Sequence, residues 1–130
     1  MKWFVCWLLL CQLPPNHYVT HIISIHDGDT FRANVDLGFD VTLRSESCRL
    51  ANFDAWEINR TRRSVNVTDA EIVKGKAARE ALVKMVYNGT SITIESVPPV
   101  RDKYGRLLVN LIIDGKDVAT ELRKQGFERH

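Results

Sequence analysis

Residues 18–36, YVTHIISIHDGDTFRANVD, hold two extended runs joined by an acidic turn. Tyr18 to His26 is rich in β-branched and aromatic side chains, which fit a pleated surface, and reads as a strand. Asp27-Gly28 is a turn signal. Thr30 to Asp36 alternates apolar and polar side chains, the period of a strand with one buried face. Beyond it, Gly38 sits in a further turn, and Val41–Arg44 and Cys48–Phe53 give two more extended pieces. The first half of the chain therefore reads as a β-meander.

The second half mixes periods. Residues 58–67 carry Arg60, Arg62 and Arg63 with no clean repeat and read as a basic loop. Thr68 and Glu71 are spaced as a capping box, in which each side chain takes one orphan N–H of a helix start. Ala78, Leu82, Met85 and Val86 follow at helical spacing; Gly75 weakens that helix and offers an alternative start. Asn88-Gly89 should end it, since both tolerate a left-handed backbone. Thr90 to Val97 alternates as a strand that Pro98-Pro99 should break. Leu107 to Ile113 reads as a buried strand, turned by Asp114-Gly115. Val118 to Gln125 is a short amphipathic helix, with Arg123 and Lys124 at the negative end of its dipole and Gly126 as its cap. Short strands with frequent turns and two helices give an α+β class, mainly β. The expected architecture is a five-stranded barrel of the oligonucleotide-binding type with two packed helices.

A chain of 130 residues supports one core, assigned to residues 16–130. Residues 1–15 stand apart: Lys2 precedes nine apolar residues, Trp3 to Cys11, and then Pro14-Pro15. That run is shorter than the ~20 residues a membrane helix needs, and it has the length of a signal-peptide core. It favours a secreted or membrane-associated protein over a cytoplasmic one. Net charge is only +2, so a polyanionic partner must be held by a local cluster rather than by a general field. The cysteines, Cys6, Cys11 and Cys48, match no zinc or redox spacing. No apolar surface stripe argues for a dimer, so a monomer is expected.

Four carboxylates fall at element ends: Asp27 and Asp29 in the first turn, Asp54 and Glu57 after the third extended piece. Oxygen donors without nearby Cys or His favour calcium or magnesium over zinc. An EF-hand is excluded, because no Glu stands at the twelfth loop position and no helices flank the turn. Arg49 lies five residues before Asp54, and Arg106 closes Asp102-Lys103-Tyr104-Gly105-Arg106. A guanidinium fork can hold two phosphate oxygens and stabilise charge that develops on them. Each group alone is an ordinary turn residue or surface ion pair.

Together, Asp27-Gly28-Asp29-Thr30, then Arg49 to Glu57 (RLANFDAWE), then Asp102 to Arg106, resemble the staphylococcal nuclease family over residues 18–127. The resemblance implies a calcium-dependent endonuclease that hydrolyses DNA and/or RNA and leaves 3′-phosphates. It implies Asp29, Asp54 and the main-chain carbonyl of Ala55 as metal donors, and Glu57 as general base. Arg49 and Arg106 would grip the scissile phosphate, and Lys103 and Tyr104 a neighbouring one, with Asp27 and Thr30 supporting the metal ligands. Trp56 replaces the family's usual proline, which either loosens Glu57 or offers a ring for base stacking. The segment after Gly126 is also shorter than usual. The rival readings are a catalytically weak or inactive nucleic-acid-binding barrel and a structural or interaction domain that uses only the scaffold. The acids and arginines being present together favours the enzyme.

Overall fold

The computed structural model describes residues 16–59 and 66–129. The apolar run 1–15 and Arg60, Arg62 and Arg63 lie outside the described residues. Three strands, β1 (His17–Ile25), β2 (Thr30–Gly38) and β3 (Val41–Leu50), form an antiparallel meander. Helix α1 (Asp69–Asn88) leads to β4 (Ile92–Arg101), β5 (Leu107–Ile113), the two-residue β6 (Lys116–Asp117) and helix α2 (Val118–Lys124). The sheet order β3-β2-β1-β4-β5 is closed by a parallel pairing of Cys48–Leu50 with Leu107–Val109. The result is the expected closed five-stranded barrel with two helices; β6 only extends β5 as a hairpin.

Alternation along the strands fills the barrel. Phe31, Ala33 and Val35 point inward from β2, and Leu107, Val109, Leu111 and Ile113 from β5. Leu82 of α1 and Val118 and Leu122 of α2 join the same cluster. Each of these side chains larger than alanine contributes about 1.5–3 kcal/mol by leaving water. The capping box forms as its spacing predicts: Thr68 Oγ1 accepts from the Glu71 N–H, and Glu71 Oε2 from the Thr68 N–H, both at 3.2 Å.

Four local expectations change. The two extended pieces at 41–44 and 48–53 are one strand that ends at Leu50. It kinks at Ser45, where φ is 55° and the ladder with β2 slips. Side chains from β2 replace the missing ladder bonds: Ser45 N–H donates to Asn34 Oδ1 and Ser45 O accepts from Arg32 Nη1. Pro98-Pro99 does not end β4, which runs on to Arg101. The prolines fall in the stretch between Ser96 and Arg101 where pairing with β5 lapses, so no ladder donor is lost. Gly89 is extended (φ −77°) rather than left-handed. It is glycine for space, since a Cβ there would lie 2.5 Å from Ile113 Cγ2.

The fourth is Gly75, which lies inside α1 and is buried. A Cβ at this position would sit 2.3 Å from the Glu57 carbonyl oxygen and 2.6 Å from that of Trp56. Gly28 is also tight, though less so, with its would-be Cβ 2.9 Å from the Cβ atoms of both Ala55 and Ala78. Helix α1 therefore packs closely on the carbonyls of Trp56 and Glu57 at Gly75 and on the 27–30 turn at Ala78. Arg79 adds a bond from Nε to the Ile25 carbonyl (3.0 Å), at the end of β1.

Gly75→Ala should lose about 2 kcal/mol or more, because rigid main-chain oxygens oppose the methyl and outweigh a helix-propensity gain of about 1 kcal/mol. Urea denaturation checks it. The Asp114 carboxyl, which accepts the N–H groups of Ser91 and Thr90, is held below its ordinary range chiefly by those bonds. Its folded-state value is depressed, so its stabilisation is present at neutral pH and is lost as pH falls through the carboxylate range. Asp114→Asn should lower stability at about pH 7 and leave a shallower decline towards about pH 3, measured by the same denaturation.

Candidate active site

The 27–30 turn is held at both ends. His26 and Asp27 donate their N–H groups to the Thr30 carbonyl at 2.9 and 3.3 Å, and the Leu50 N–H binds the Asp29 carbonyl at 2.9 Å. Asp27 Oδ1 accepts the Asp29 N–H at 3.0 Å, a side chain replacing a backbone partner in the turn.

This local order aims the Asp29 side chain inward, where it is 6% exposed. A carboxylate so buried needs partners on both oxygens. Oδ1 accepts from the Thr30 hydroxyl at 2.8 Å. Oδ2 accepts from the Ala55 N–H at 2.9 Å, a link across 26 residues. Arg49 Nη2 lies 3.6 Å from the same Oδ2 and is also hydrogen-bonded to Asp54 Oδ1. One guanidinium thus spans the two aspartates.

Asp27 is pushed up to about 7. Burial is the main cause, then the side-chain bond and charge of Asp29, then the charge of Glu57. The main chain of Glu57 is fixed against Gly75, and the neighbouring Trp56 ring is covered by Lys74 Nζ at 5.0 Å from the centroid.

Arg106 reaches the cluster from the other side of the barrel seam. Asp102 Oδ2 accepts from its Nε at 2.7 Å, and Asp102 Oδ1 accepts the N–H groups of Tyr104 and Arg106, both at 2.9 Å. Arg106 Nη1 then lies 3.5 Å from Thr30 Oγ1. Burial alone would raise the Asp102 carboxyl, but these bonds outweigh it and hold it below its ordinary range. Tyr104 is 56% exposed, with Lys103 Nζ at 5.2 Å and Arg106 Cζ at 5.4 Å from its ring centroid.

The structure thus links Asp27, Asp29, Thr30, Arg49, Asp54 and Ala55 by hydrogen bonds and ion pairs and joins Arg106 through Thr30, while Glu57 follows two residues after Ala55 with its carbonyl against Gly75. Lys103 and Tyr104 flank Arg106 on an exposed turn. Among the described residues, no three His, Cys, Asp or Glu side chains converge as metal ligands. Asp29, Asp54 and the Ala55 carbonyl, the donors expected from the sequence, offer only oxygen, the donor type a hard cation takes. The place between Asp29 and Asp54 already accepts a positive charge, the Arg49 guanidinium. The chemistry of these residues, oxygen donors around one positive charge, is compatible with such an ion.

One contact has no signal in the local sequence. Arg129 donates its N–H to the Asp54 carbonyl at 2.8 Å, and its Nη2 lies 3.4 Å from Asp54 Oδ2. Only a 75-residue tertiary contact brings the two together.

Among curated proteins none matches this chain. The family model of staphylococcal nuclease homologues matches residues 47–130, well over half of the chain. The matched stretch holds Arg49, Asp54, Glu57 and Arg106, while the acidic turn precedes it and is tied to it by the Asp29–Ala55 bond. By this match, and by the closed barrel that β1 and β2 complete ahead of it, the chain belongs to the family of staphylococcal nuclease homologues.

Proposed function

We propose that the chain is a calcium-dependent endonuclease that hydrolyses phosphodiester bonds of DNA and/or RNA and leaves 3′-phosphates. The observation that carries this reading is the single guanidinium, Arg49, lying between Asp29 and Asp54. Cation donors and a phosphate-gripping fork share one cluster.

Asp29, Asp54 and the Ala55 carbonyl would hold the calcium ion. When bound, it supplies Lewis-acid polarisation of phosphoryl oxygens. The remaining work belongs to the chain's own groups. A phosphodiester is an anion that repels nucleophiles, so the barrier is largely electrostatic. Arg49 and Arg106 grip its oxygens and stabilise the charge that grows there. Asp102 orients Arg106, so its fork needs no reorganisation as the reaction proceeds. Glu57 takes a proton from the attacking water, the new P–O bond forms, and the bond to the 5′ oxygen breaks, that oxygen taking a proton from solvent water to leave as a hydroxyl. Lys103 and Tyr104 contact a neighbouring phosphate on the exposed turn. Asp27 and Thr30 hold Asp29 in place through its N–H and Oδ1. Glu57 is the group that a binding barrel without catalysis would not need beside the two arginines.

With single-stranded DNA and RNA substrates, cleavage should require calcium and stop on chelation. Glu57→Gln and Arg106→Lys should each cut the rate by about 10²–10³ while leaving thermal stability near that of the parent. Cleavage that ignores the chelator and both substitutions would sink the proposal.

A further inference from the structure

Asp54 has a guanidinium partner on each oxygen: Arg49 Nη2 on Oδ1 and Arg129 Nη2 on Oδ2. Arg129 is not a loose surface cation. Its N–H is fixed to the Asp54 carbonyl, and the adjacent Glu128 forms a β-bridge with Ala55. A polar recess opens beside it, lined by Arg49, Asn52, Asp54, Glu128 and Arg129. The recess shares Arg49 and Asp54 with the site described above and includes none of the Asp102–Arg106 turn. Its acids do not repel an anion outright, because Glu128 Oε2 is engaged by Arg123 Nε at 2.9 Å and Asp54 by its two arginines.

We propose that Arg129, with Asn52, forms a subsite for a second phosphate of a nucleic-acid strand, and that Arg129 competes with the cation for Asp54 when no strand is bound. The inference rests on the nuclease reading. One carboxylate oxygen cannot serve both a guanidinium and an ion at full strength. The Asp54 side chain is 49% exposed and has room to turn. As it turns towards the cation, Oδ2 leaves Arg129 and the fork is released into the recess. Loading the cation and gripping the strand are thereby linked through this chain's own tail.

The two roles predict effects of opposite sign for one substitution, whereas a merely structural Arg129 would weaken both bindings together. In a Glu57→Gln background that suppresses cleavage, Arg129→Gln should tighten calcium binding roughly two- to fivefold, read by calorimetry without nucleic acid. With calcium present, binding of a single-stranded oligodeoxynucleotide of about six nucleotides should weaken, and its salt slope should fall by about 0.7. A dinucleotide should bind unchanged. Arg129→Lys should restore the slope. Loss of both affinities together, or no change in either, overturns the inference while leaving the nuclease reading intact. Failure of the Arg129-intact protein to bind calcium or the oligonucleotide overturns both.

Discussion

A buried carboxylate is costly to keep unless every oxygen is engaged, and Asp29 meets that condition by joining two parts of the chain that share no local order. Its Oδ2 takes the Ala55 N–H, so the acidic turn and the Asp54–Glu57 segment are held at one hydrogen bond's length. Thr30 and Arg49 complete the set. The same contacts that make the charge tolerable also bring Arg49, Asp54 and Ala55 to the acidic turn. Stability of the turn and geometry of the site are one requirement.

Close packing enforces that link from the other side. Gly28 and Gly75 leave the 27–30 turn, residues 55–57 and helix α1 in backbone contact, with alanines filling what is left. A helix ordinarily presents side chains to its neighbour. Here it presents a groove, and the carbonyls of Trp56 and Glu57 lie in it. The orientation of Glu57 thus depends on a residue that contributes no atoms beyond its main chain.

Strand alternation, the capping box and the turn dipeptides were legible because they act within a few residues. The sequence reads less well where one local rule is answered by a distant partner. Pro98-Pro99 looked like a strand end because their use in an unpaired stretch depends on β5. Gly75 looked like a weak point in a helix because the carbonyls that demand it are 18 residues earlier. Gly89 looked like a left-handed cap, and Ile113 is what requires it. The order of Asp29, Arg49, Asp54, Glu57 and Arg106 was visible. That Arg49 would span both aspartates, and that Arg129 would reach Asp54, was not, since ion pairs across long loops leave no periodic trace.

The parallel seam between β3 and β5 has a temporal consequence. Cys48 pairs with Leu107 and Arg49 with Leu108, so the two arginines are brought together by a contact that spans nearly half of the chain. Closing so long a loop carries a large entropic cost and comes late for a barrel of this kind. Until then Arg49 sits beside the aspartates while Arg106 is elsewhere. A nascent or half-folded chain therefore holds Arg49 and the two aspartates together before Arg106 joins them, and the full cluster waits on completion of the barrel.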